Sequence, residues 1–355
     1  MPGFIFGMPV GREGSMIQNV KWVPLGTAGG WRKAAENPVI GPEYGTTFDL
    51  HVIKEEGIYR MWFSWRDVKL IAHTASTDGL HWDLPQAVLT AVPGSGWEGD
   101  EVNRPTIVVK DGLYHMWYTG QMFAKENQMS RSCIGYAVSE DGINWKRRQE
   151  PVFVPEEAWE RYCVMCPHVL WEEEKGLYRM WYSAGRMHEA DAIGLAESSD
   201  GISWTRVGRK PVFLPDPKNY WDMSKVEACY VLKQNDWYYM FYMGVHGDYK
   251  SAVGLARSAD GINWERHPDN PVIAGDDDLW DFGGICKVSV VRENNGLRLW
   301  YNASNSGGEQ IGMAYHEGFA LFPDEEEVYV QEREKNPCKE GKFSYYYNRF
   351  ALLDK

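Results

Sequence analysis

Two acidic residues, Asp49 and Glu227, open short apolar segments of one repeated kind: Asp49-Leu50-His51-Val52-Ile53-Lys54 and Glu227-Ala228-Cys229-Tyr230-Val231-Leu232-Lys233. Three sister segments open on Arg104, Cys166 and Cys286. One acid at a strand end is ordinary, but two at the same place in a repeat, facing a shared axis, are not explained by folding. Such a pair can divide proton donation from proton abstraction, provided their surroundings hold them in different protonation states. Asp100, Asn103, Arg104, Cys166, His51, His168 and Lys287 lie on or beside the same segments and are candidates for substrate binding. His51, His168 and Arg104 read equally well as satisfied inner-strand residues.

The elements that must position these groups are visible in the stretch from Phe48 to Trp82. It holds an apolar run, a turn at Glu55-Glu56-Gly57, an aromatic run from Ile58 to Trp65, a third apolar run, then Asp78-Gly79 with a Trp three residues after the glycine. Short β-branched and aromatic runs bounded by turn residues read as strands. The aromatic run returns around Trp117, Trp181, Phe241 and Trp300, and the third run around Gly135, Gly194, Gly254 and Gly312. The Asp-Gly turns begin at 78, 141, 200 and 260, so they lie 63, 59 and 60 residues apart.

A repeated meander cannot bury both faces alone, so this period predicts a closed array. Five units from about residue 37 to residue 316 predict an all-β chain, a five-bladed β-propeller with four-stranded antiparallel blades around a central funnel. Residues 1–36 read as an irregular leader, a closing strand or a flap, with Trp22 and Trp31 as anchors, and 37–355 as a single propeller domain with a C-terminal closing tail. The Pro-Val pairs at Pro38, Pro151, Pro211 and Pro271 mark blade edges, because proline cannot donate within a central ladder. The acidic run Asp324-Glu325-Glu326-Glu327 reads as a solvated loop.

The first segment, with its following aromatic strand, resembles the blade-one strand of the five-bladed glycoside hydrolases of families 43 and 32 and relatives such as families 117 and 130. The fourth, Glu227-Ala228-Cys229-Tyr230, resembles the strand that carries their general acid. This resemblance implies Asp49 as base or nucleophile and Glu227 as acid in glycosidic cleavage, where one carboxyl protonates the departing oxygen and the other activates water or attacks carbon. It also implies a third carboxylate on blade three, where this chain has Cys166. Asp100, Glu101 and Asp281 are the acids that could take its place. Arg104 stands where several relatives have Asp; it pairs with Asp49 or Glu101, or clamps a carboxylate or phosphate bidentately. Three activities stay open: a hydrolase, a phosphorylase of the related kind, and a non-catalytic carbohydrate-binding propeller.

Composition narrows the partners. A formal net charge of −13 disfavours nucleic acid, whose phosphates need a basic face. No segment approaches the length of a membrane span, and the start of the chain lacks the pattern of an export signal, so a cytoplasmic location is expected. The six cysteines have no framework spacing, which fits thiols in a reducing compartment, and Cys163-x-x-Cys166 has no second pair to complete a zinc site. No cofactor is expected, although the fold tolerates a structural calcium or other ion at the funnel floor. The 17 Trp and 20 Tyr exceed what the core needs and leave rings over to stack on a sugar. The oligomeric state is not assigned.

Overall fold

The computed structural model describes residues 22–23, 26–126, 129–186, 190–246, 250–276, 279–305 and 307–325. Among them the chain is all-β apart from single 3-10 turns, and no helix is long and apolar enough to cross a membrane. Blade one comprises Thr47–Glu55, Ile58–Trp65, Leu70–Ser76 and Gln86–Thr90, paired antiparallel in sequence order. Blade two starts at Glu101–Lys110, blade three at Cys163–Glu172, and blade four at Lys225–Gln234. Blade five takes Gly284–Arg292, Gly296–Asn305 and Gly308–Glu317 from the end of the repeat, and its outer strand, Trp31–Ala34, from the leader. Trp31 pairs with His316 and Lys33 with Ala314, so the two ends of the described chain meet in one sheet. Leader residues 1–21 and the tail with Tyr345-Tyr346-Tyr347 and Cys338 lie outside the described residues.

The recurrent Trp and the recurrent Asp-Gly turn link blade one to two, two to three, three to four and five to one. Trp62 Nε1 of blade one donates to the Gly142 carbonyl of blade two at 2.8 Å, Trp117 to Gly201 at 2.7 Å, and Trp181 to Gly261 at 3.0 Å. Trp300 of blade five donates to Gly79 of blade one at 2.9 Å, carrying the same link from the last unit back to the first. All four indoles are fully buried, so each bond satisfies a donor that water cannot reach. The glycines adopt positive φ (Gly79 78°, Gly142 74°), and a Cβ on Gly142 would lie 2.8 Å from the Trp62 ring. That close approach is why the turn must be Asp-Gly.

The Pro-Val segments run along the outer edge of the third strands, where Val152 and Val212 donate to the carbonyls of Ile134 and Ile193. Of the acidic run, Asp324 and Glu325 lie among the described residues: Asp324 holds Arg257 at 2.7 and 2.8 Å, and Glu325 accepts from the Tyr239 hydroxyl at 2.6 Å. These two acids fasten the last described turn to blade four.

Candidate active site

Each innermost strand breaks its ladder near its start, where two residues stand opposite one on the second strand. The register skips between Phe48 and His51, Asn103 and Thr106, Met165 and His168, Glu227 and Tyr230, and Ile285 and Val288. Such a bulge kinks the strand and re-aims a side chain. Asp49, Arg104, Cys166 and Ala228 occupy the bulges with φ of 46°, 56°, 49° and 50°, a left-handed conformation that costs free energy in non-glycine residues and concentrates at functional sites. The bulge also explains the prolines inside the strands of blades two and three. Pro105 and Pro167 sit in the ladder gap, where no N–H is required.

Each left-handed residue is tethered by its N–H to the second strand of the preceding blade. Arg104 donates to Ser64 Oγ at 2.8 Å, Cys166 to Thr119 Oγ1 at 3.1 Å, and Ala228 to Ser183 Oγ at 2.9 Å. Asp49 is tethered to blade five, but to an amide, Asn302 Oδ1, at 3.2 Å.

The strand positions correct the sequence alignment of the five segments. The residues facing the second-strand aromatic are His51, Thr106, His168, Tyr230 and Ser289. Two residues earlier stand Asp49, Arg104, Cys166, Ala228 and Lys287. Glu227 and Cys286 therefore sit one residue before the Asp49 position, and the two acids are not at equivalent places.

Asp49 and Arg104 form an ion pair, Oδ2 to Nε at 2.9 Å, with both side chains 7 % exposed. Arg104 Nη1 also donates to Asn103 Oδ1 at 2.8 Å, and Asn103 Nδ2 donates to Gln121 Oε1 at 2.8 Å. Of the partners foreseen for Arg104, the structure assigns Asp49. Glu227 accepts the Ala190 N–H at 3.1 Å, and its carboxyl is pushed up to about 7, by burial first and by the Asp49 charge in addition. The two acids thus share one electrostatic field.

Below this ring the axis is plugged. The His51 and His168 rings stack with centroids 6.3 Å apart, both lie against Tyr230, and His168 Nε2 bonds the Val231 carbonyl at 2.7 Å. Burial and then the Lys287 charge push His168 down to about 3, so it stays neutral; His51 is lowered too, by burial and by His168. Lys287 has no exposed surface and is lowered by burial, while Asp49 and the Cys166 and Cys229 thiols oppose that shift. His51, His168 and Lys287 are all buried on the innermost strands. Asp100 lies at the rim, accepting from the Phe123 N–H at 2.8 Å and facing Lys125 at 3.7 Å.

Cys166 is buried beside Arg104, and burial raises its thiol to about 12, so it supplies no charge. Asp281 does not take over as third acid. It is fully buried in an ion pair with Lys33 at 2.5 Å, where it secures the closing strand. Sequence reasoning missed Glu309, at the start of the third strand of blade five. Burial and the Asp49 charge raise its carboxyl to about 7, and it accepts from Asn302 Nδ2 at 2.6 Å. Its only sequence signal is an acid after Ser306-Gly307-Gly308, a setting that reads as a turn.

The profile of Glycosyl hydrolases family 43 matches residues 35–316, and the chain belongs to that family. It is 26% identical over 257 residues to a 1,2-beta-oligomannan phosphorylase of Thermoanaerobacter sp. (strain X514), covering 70% of this chain and 78% of that protein. Among solved structures, a thermostable family-43 glycoside hydrolase superposes with a TM-score of 0.63 at 19% identity, covering 78% of this chain and 91% of the other. A beta-1,2-mannobiose phosphorylase from Listeria innocua, in complex with beta-1,2-mannobiose, gives 0.62 at 15% identity, covering 81% and 96%.

Proposed function

We propose that the protein cleaves a glycosidic bond at a glycan end, with Glu227 as general acid and Asp49 as base or nucleophile. The observation that carries this reading is the contrast between the two carboxyls. Asp49 is ion-paired with Arg104 at 2.9 Å, whereas Glu227 keeps its proton up to about pH 7. Cleavage needs such a pair: one proton must be delivered to the leaving oxygen while the other carboxylate serves the anomeric carbon. Water is the acceptor in this reading. Arg104, a cation that could have gripped a phosphate, instead faces Asp49 as an ion pair at 2.9 Å and donates from Nη1 to Asn103.

The second reading replaces water by phosphate, and the similarity to a 1,2-beta-oligomannan phosphorylase favours it. Incubation with beta-1,2-linked mannosides and with arabinose- and xylose-terminated oligosaccharides, with and without inorganic phosphate, separates the two. Free sugar released at a rate independent of phosphate supports the hydrolase. Sugar phosphate formed only with phosphate supports the phosphorylase, and no product from any substrate sinks both.

A further inference from the structure

We propose that Glu309 is the third carboxylate of this site, a positioning residue that acts through Asn302 to hold the left-handed turn at Asp49. The inference rests on Asp49 serving the reaction as proposed above.

In blades two, three and four the bulge N–H is held by a hydroxyl: Ser64, Thr119 or Ser183. A hydroxyl rotates to suit its partner, whereas an amide is planar and has two ends of fixed character. At Asp49, the one acid in the ring, the tether is the amide of Asn302, which has no exposed surface. An amide has one accepting and one donating end, and it can present Oδ1 to Asp49 only if something accepts from Nδ2. Glu309 Oε2 does so at 2.6 Å, and the Glu309 backbone carbonyl accepts from Thr47 Oγ1, two residues before Asp49, at 3.4 Å. Glu309 thereby fixes which way the amide points, and the amide fixes the strained turn that aims the Asp49 carboxylate.

The charge around Glu309 fits this role. Asp49, Arg66 and Arg104 face it, as does the Cys286 thiol, itself raised by burial and by Glu309. Burial and Asp49 hold Glu309 at about 7, so it accepts fully from Asn302 above that pH. On protonation it accepts more weakly from Asn302 Nδ2, which loosens the hold of the amide on the Asp49 N–H.

The test is a mutant cycle read in kcat, KM and pH dependence. E309A is expected to lower kcat roughly tenfold or more with little change in KM, because small displacements of a reacting group are costly. E309Q, whose amide oxygen still accepts from Asn302, recovers most of that loss and moves the acidic limb of the kcat profile to lower pH. N302S restores the hydroxyl tether of the other blades and disconnects Glu309, so adding E309A to N302S costs less than about twofold. Equal losses from E309A in both backgrounds, or none in either, overturn the inference. If E309A fails to fold, E309Q in the two backgrounds decides through the acidic limb: a shift with Asn302 and none with Ser supports the inference, and any other pattern overturns it. A parent with no turnover removes the functional reading and this inference together; an active parent with unaltered variants removes this inference alone.

Discussion

The carboxylate of Asp49 and the guanidinium of Arg104 meet at 2.9 Å across the boundary between blades one and two, each carried on a bulge residue with positive φ. The pair joins chemistry to architecture. The bulge that strains each backbone is also what turns both side chains toward a common space.

Breaking this pair from the Arg104 side leaves Asp49 charged and buried. R104M is therefore expected to cost about 3–5 kcal/mol in urea denaturation, the range for a buried pair that loses one partner. The double variant D49N/R104M removes the stranded charge and recovers part of the loss. Additive losses in the double variant would show that Asp49 does not depend on Arg104 for stability.

Glu227 ties stability to pH with a definite sign. Its carboxyl is raised from an ordinary value of 4.5 to about 7, so the folded state binds the proton more tightly than the unfolded chain. The associated stability is fully present below about 4.5 and is lost as pH rises through about 7. E227Q cannot ionise, and its stability relative to the parent rises by up to about 3 kcal/mol between pH 5 and pH 8. A difference that stays flat over this interval would contradict the burial assigned to Glu227.

The link from blade five to blade one is testable on its own. W300F keeps the ring but removes the 2.9 Å bond to Gly79, and a loss of about 1 kcal/mol is expected. Blade four supplies a natural comparison, since Phe241 holds the same strand position without an indole. F241W, which has no such bond to lose, is not expected to mirror W300F. Equal stability of W300F and parent, by thermal midpoint, would show that this link adds nothing.

The architecture was legible because the blades repeat nearly the same solution: a buried Trp in four of the five, an Asp-Gly turn with a positive-φ glycine in four, and about sixty residues between turns. Asp49 and Glu227 were legible as acids at strand openings. Their registers were not, because an acid that precedes an apolar run by one residue reads like an acid that opens it, so Glu227 aligned with Asp49 although Ala228 holds that place. His51, His168 and Lys287 are polar residues on inner strands, and their burial was not legible because the apolar pattern around them is the same whether or not the side chain reaches solvent. Glu309 escaped notice because its partner, Asn302, lies across a hairpin and its link to Asp49 crosses from blade five to blade one. Asp281 was overvalued for the converse reason, since Lys33, its partner, is 248 residues away in sequence.

The assignment of Glu227 as the acid is tested most directly by comparing leaving groups. Parent and E227Q are assayed on a glycoside with a sugar leaving group and on the matching nitrophenyl glycoside, whose leaving group needs no proton. The account predicts that E227Q loses roughly 100-fold to 10,000-fold on the first and far less on the second. Equal losses on both, or no loss on either, would contradict Glu227 as the proton donor.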